Sequence, residues 1–180
     1  AVGVGMHQLN LSKRPTSIPE QQAVAAVGQA ALMNIYNHRF ISYSQQTAQI
    51  LLTRDVIEFP ESRQNVINTL EQLLAMGIIP IINENDTVAT SEIRYGDNDR
   101  LAARVTQMID ADLLVLFSDI DGLYTRDPRV HKDAQLIPEL DTLDSAVEKM
   151  ASKNTSPHLY MVGAFGLFRL IITGSWAGWR

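Results

Sequence analysis

Cysteine is absent from this 180-residue chain. That excludes disulfides, cysteine-held zinc and a thiol nucleophile. Histidine is sparse: His7, His38, His131 and His158 lie far apart, so no spacing suited to a histidine-held metal occurs. Lysine is equally scarce, limited to Lys13, Lys132, Lys149 and Lys153, none of them in a glycine-rich loop. Lysine and arginine together number 15 against 20 acidic residues, a net charge of −5. No basic block exists to meet nucleic-acid phosphates. The uncharged stretch Leu159 to Phe168 is too short to span a membrane, and no charged-then-apolar leader opens the sequence. These absences lead to the expectation of a cytoplasmic protein. What remains is ordinary: a hydrophobic share of 46% in 180 residues is enough to bury one core, so a single domain is expected.

One further absence is local. After Glu148 the remaining 32 residues contain no Asp or Glu, and both tryptophans, Trp176 and Trp179, fall in the last five. Residues 1–156 read as one body and 157–180 as an atypical tail. A C-terminal strand with a turn at Gly174-Ser175 is one reading of that tail. The abrupt compositional change favours the other, a chain that has left its reading frame at about Ser156.

Periodicity orders the elements. Ala1 to Gly5 reads as a loop leaving a strand. A helix is expected from Glu20 to Tyr43, with Pro19 ahead of its first turn and Val24, Val27, Ala31 and Ile35 giving the helical repeat. Thr47 to Leu52 reads as a strand ending at Thr53-Arg54-Asp55. A second helix runs from Glu61 to Met76 and stops at Gly77. Ile78 to Ile82 is an apolar strand. A third helix covers Asp99 to Ile109, with Leu101, Ala102, Val105 and Met108 inward. Leu113 to Phe117 is another strand, Leu136 to Leu140 a short one, and Leu143 to Met150 a short helix. Uninterrupted apolar strands alternating with helices indicate an α/β fold, a three-layer α/β/α sandwich on a mainly parallel sheet.

In such sheets ligands bind beyond the carboxyl ends of strands. Two polar clusters fall there. Asn83-Glu84-Asn85-Asp86 follows the Ile78–Ile82 strand, and Gly96-Asp97-Asn98-Asp99 opens the third helix. A carboxylate holds an ammonium group and an amide donates to a carboxylate, a pairing that suits an amino acid. On spacing alone, Asp97 or Asn98 is as well explained as a helix cap with Asp99 favoured by the helix dipole. A third cluster, Ser118-Asp119-Ile120-Asp121-Gly122-Leu123-Tyr124-Thr125-Arg126-Asp127-Pro128, starts at the end of the Leu113–Phe117 strand. Its Ser118 hydroxyl and Asp119 carboxylate are suited to a nucleotide or its metal, and its plain alternative is a polar loop with two turns.

The Asn-Glu-Asn-Asp and Gly-Asp-Asn-Asp segments resemble those of the glutamate 5-kinase family, a branch of the amino acid kinases. The Ser118–Pro128 stretch resembles the Thr/Ser-Asp-x-x-Gly-Leu-Tyr-Thr-x-Asp-Pro loop that amino acid kinases place on the nucleotide. Ala25–Gln29, Leu51–Asp55 and Asn68–Leu70 also match and read as scaffold, Gly28 permitting a close approach. The resemblance runs from Ala1 to about Ser156, an incomplete amino acid kinase domain.

The resemblance implies ATP-dependent phosphorylation of the γ-carboxylate of L-glutamate to glutamyl 5-phosphate, the first step towards proline. Substrate-binding positions fall on Asp86 and Asn98, orienting catalytic positions on Asp97 and Asp99, and nucleotide-binding positions on Ser118 and Asp119. ATP and Mg2+ are the implied cofactors, the magnesium arriving with ATP rather than on a dedicated protein site. Proline is the implied feedback inhibitor, and a homo-oligomer the implied assembly. The family also carries a lysine on a first strand and a substrate-contacting serine, expected ahead of Ala1. A second lysine follows a Gly-Thr-Gly-Gly-Met segment, where this sequence reads Pro157-His158-Leu159-Tyr160. These 180 residues alone are therefore expected to be nearly inactive in phosphotransfer, which needs positive charge on the moving phosphoryl group. The alternatives are a non-catalytic glutamate- or proline-binding protein and an amino acid kinase of related substrate.

Overall fold

A computed structural model describes residues 1–88, 98–117 and 122–140, with the backbone alone of 170–174. The chain divides into two compact units, Ala1–Gly96 and Asp97–Arg180.

In the first unit, α1 spans Val2–Gln8 and α2 spans Ile18–Ile41. The expected loop at the start is thus a helix. Two glycines, Gly3 and Gly5, argue against helix locally, but packing overrides them. Val2 is buried against Val24 and Ala25, with Ala1 and Met6 alongside. Gly5 sits so close to α2 that a Cβ there would lie 1.9 Å from the Val24 carbonyl oxygen. A Cβ on Gly28 would lie 2.1 Å from the Ala1 oxygen and 2.5 Å from the Gly5 nitrogen. Gly28 therefore admits the backbone of α1, a closer and more specific role than packing on a sheet. Ser17 caps α2 by accepting the Glu20 N–H, and Pro19 lies in the first turn.

Strand β1, Thr47–Leu52, has the bounds expected from the sequence. The chain then turns into a short helix, α3 (Arg54–Glu58), that the periodicity did not reveal. It is too short to show a repeat. Its anchor is Ile57, 5% exposed, and an Arg54 Nε–Glu58 Oε1 contact at 2.6 Å adds an exposed i,i+4 pair worth only a few tenths of a kcal/mol. Helix α4 (Pro60–Ala75) starts on Pro60 and buries Leu70 completely. Strand β2, Ile79–Glu84, runs two residues beyond the apolar segment, so Asn83 and Glu84 belong to the strand. It pairs in parallel with β1 from Thr47↔Ile79 to Leu52↔Glu84.

The second unit contains α5 (Asn98–Met108), β3 (Leu113–Phe117), β4 (Leu123–Tyr124), β5 (Leu136–Ile137) and β6 (Leu170–Gly174). Leu101, Ala102, Val105 and Met108 form the buried stripe of α5, as their spacing requires. β3 pairs in parallel with β6, from Leu113↔Leu170 to Phe117↔Gly174. The tail segment for which the sequence left a C-terminal strand open does carry one. β4 and β5 form an antiparallel pair, with β5 shorter than the expected Leu136–Leu140 strand. The expected helix at Leu143–Met150 lies outside the described residues.

Helices joined to parallel strand pairs place the chain in the α/β class. Among the described residues the parallel pairing is present as two separate pairs rather than one continuous sheet. Four helix ends share a device. Asn10, Ser44, Gly77 and Asp110 have φ of 53°, 57°, 70° and 50°. At α4, Gly77 N–H donates to Leu74 O at 3.0 Å and Ile78 N–H to Leu73 O at 2.9 Å. This left-handed cap turns the chain straight from α4 into β2.

Candidate functional site

The carboxyl end of β2 is built by backbone hydrogen bonds. Asn85 N–H donates to Leu52 O at 2.8 Å, which extends the parallel pairing one step past the strand. Val88 N–H donates to Asn85 O at 3.2 Å and closes a turn. The Thr87 hydroxyl is hydrogen-bonded to Asn85 Oδ1, so the turn is also held by its side chains. Asp86 sits within this turn. Its side chain is only 14% exposed, and its Oδ2 lies 3.4 Å from the amino nitrogen of Ala1. The fold thus sets a partly dehydrated carboxylate at the end of a parallel strand, a group suited to holding an ammonium.

Beneath the turn lies a chain of uncharged amides. Asn83 Nδ2 donates to Gln29 Oε1 at 3.0 Å, and Gln29 Nε2 donates to Gln49 Oε1 at 3.1 Å. Asn83 Oδ1 in turn accepts the N–H of Glu84 at 2.9 Å. Asn83 and Gln29 are both 7% exposed, while Gln49 is exposed. The chain links α2, β1 and β2. Gln29 had been counted with the scaffold. The signal that marks it out is an amide on the otherwise apolar buried stripe of α2, where a polar group must find partners.

In the second unit, Asn98 opens α5 and is exposed, whereas Asp99, in the first turn, is 8% exposed. Both agree with the placement of this cluster at a helix start, and the acidic residue stands where the helix dipole favours it. Arg100 is exposed on the same turn. Asp97, Ser118 and Asp119 lie outside the described residues.

Asp127 and Pro128, at the end of the third cluster, form a turn of their own. Val130 N–H donates to Asp127 O at 3.2 Å, with Pro128 at the second position, the place that its fixed φ suits. Asp127 Oδ1 accepts the Arg129 N–H at 2.9 Å and Nε at 3.1 Å, and Oδ2 accepts Nη2 at 3.0 Å. The Arg129 side-chain bonds, then its backbone N–H, hold the Asp127 carboxyl below its ordinary value, and His131 nearby adds to the effect. Asp127 thus shapes the loop with a partner of its own sequence. A carboxyl lowered in the folded state contributes stability above its unfolded-state pKa and loses it as pH falls through the lower folded value. We expect Arg129→Ala to raise the Asp127 titration midpoint measured by carboxyl NMR. An unchanged midpoint would refute this account. Arg126 is likewise engaged, with Asp133 at 3.2 Å.

Among the described residues no cluster of three metal-ligating His, Asp or Glu side chains occurs, and no helix is long and apolar enough to cross a membrane.

The model of the amino acid kinase family matches residues 2–161. The chain belongs to the amino acid kinase family. It is 62% identical to the glutamate 5-kinase of Enterococcus faecalis over 155 residues, 84% of this chain and 57% of that protein. Against the glutamate 5-kinase of Listeria innocua the identity is 55% over 155 residues, and against that of Ligilactobacillus salivarius 53% over 151 residues. The chain spans between 56% and 57% of the length of these relatives. The family resemblance seen in the motifs is thereby established along most of the chain, and the expected α/β kinase fold with it.

Proposed function

We propose that this chain is the central part of a glutamate 5-kinase, transferring the γ-phosphoryl group of ATP to the γ-carboxylate of L-glutamate. Residues 1–156 form the central part of the kinase domain in this reading, and 157–180 a tail of different character. The observation that carries it is Asp86: a carboxylate only 14% exposed, set in a turn braced by Asn85 and Thr87 at the end of a parallel strand. The identity to three bacterial glutamate 5-kinases supports the choice of substrate.

Asp86 takes the α-ammonium of glutamate, and the exposed Asn98 amide donates to one of its carboxylates. Asp97 and Asp99 orient neighbouring groups. Ser118 and Asp119 address the nucleotide. An oxygen of the substrate γ-carboxylate attacks the γ-phosphorus, the bond to the bridging oxygen breaks, and ADP leaves. Mg2+ arriving with ATP would supply charge neutralisation for this transfer. Asp127 is committed to Arg129 and serves the loop rather than the ion. Proline competes for the glutamate site as a feedback inhibitor, and the active assembly is a homo-oligomer.

Calorimetric titration of L-glutamate into the chain tests the reading; absence of glutamate binding would refute it. Because no lysine of these residues lies in a glycine-rich loop, a coupled ADP-release assay on this polypeptide is expected to run about two to five orders of magnitude below the full-length Enterococcus faecalis protein. Ordinary turnover would show that an arginine supplies the missing charge.

A further inference from the structure

We propose that the amide chain Gln49–Gln29–Asn83 is a positioning device for the turn that carries Asp86. It rests on the reading above for its use, and on geometry alone for its existence. Gln29 and Asn83 are nearly sealed from water, yet neither bears a charge. Each is satisfied by the next: Asn83 Nδ2 to Gln29 Oε1 at 3.0 Å, Gln29 Nε2 to Gln49 Oε1 at 3.1 Å. The chain ends on the backbone, where Asn83 Oδ1 accepts the Glu84 N–H at 2.9 Å. Glu84 is the last strand residue and Asp86 follows two residues later.

This bond has a particular consequence. It fixes the Asn83 side chain and the peptide that leads out of the strand as one unit. Asn83 cannot rotate to release the Glu84 N–H without also abandoning Gln29, which would leave buried amide groups unsatisfied. The orientation of the strand exit is thereby tied to α2, whose Ser17-capped body is independently held by its packing on α1. Leucine or methionine at position 29 would fill the same space but leave the buried Asn83 amide without its partner, so the glutamine fixes the direction of the Asn83 side chain. Gln29 reaches the turn only through Asn83, so its role is to position rather than to touch substrate.

The test uses the whole chain, with Gln29→Met and Gln29→Glu. Methionine keeps the volume and removes both hydrogen bonds. Glutamate keeps the oxygen that accepts from Asn83. Amide hydrogen exchange reads the turn without any ligand, and Leu70 at the centre of α4 serves as the reference for global unfolding. The expected result is Glu84 N–H exchange at least tenfold faster in Gln29→Met relative to Leu70, with protection largely retained in Gln29→Glu. Titration with L-glutamate should then show about tenfold weaker binding in Gln29→Met, with ADP affinity within twofold. A purely structural role would alter Leu70 and Glu84 together and both ligands alike. Unchanged Glu84 exchange overturns the proposal whatever the ligands do. Changed Glu84 exchange with glutamate affinity intact confines the device to the backbone and overturns its role in substrate placement. If the unaltered chain binds no glutamate, the substrate reading fails while the exchange data still decide the positioning.

Discussion

Gly28→Ala should unfold at a markedly lower urea concentration than the unaltered chain. In an exposed helix this substitution would gain about 1 kcal/mol through better helix propensity. Here the added methyl meets the backbone of a second helix. The Cβ would stand 2.1 Å from Ala1 O and 2.5 Å from Gly5 N, and neither atom can rotate away. The two helices must separate, and forced overpacking of this kind costs typically about 1–3 kcal/mol. Separation also loosens Val2, Val24 and Ala25, so we expect the upper end of that range. Gly3 supplies the control. A Cβ there meets nothing within 4 Å, so Gly3→Ala should stabilise α1 by up to about 1 kcal/mol. Equal effects at positions 3 and 28 in urea denaturation would contradict the close helix contact.

Asp86→Ala is expected to remove most of the affinity for L-glutamate while leaving the fold intact. A hydrogen bond to a charged group is worth about 1.5–3 kcal/mol, so calorimetry should show glutamate binding weakened roughly 10- to 150-fold. Asp86→Asn keeps the shape and tests the charge alone. Since Asp86 is on a turn held by Asn85 and Thr87, far-ultraviolet circular dichroism should not change. Unaltered glutamate affinity in Asp86→Ala would assign the ammonium to another group and remove the main support for the proposed site.

The two predictions differ in how visible their residues were. Asp86 stands out in the sequence because an apolar strand ends in a cluster of carboxylates and amides, which only a solvated loop or a site explains. Gly28 is unremarkable in sequence, one glycine within a long helix. Its meaning arises from α1, which local propensity disfavours and which forms because Val2 finds Val24 and Ala25.

The strands Thr47–Leu52 and Leu113–Phe117 were determined by the sequence to the residue, because short, mainly apolar runs bounded by polar residues have few alternatives. The helices α2, α4 and α5 were determined within two residues at either end, since periodicity locates a body better than an end. So was the family, through motifs whose residue types must stand together for chemistry. Tertiary structure alone decided α1, the short α3, the extension of β2 to Glu84 and the partners of Gln29. Each depends on contacts between residues distant in the chain: Asn83 and Gln29 are 54 residues apart. A sequence states which groups need a partner, but only the folded backbone brings one within 3 Å.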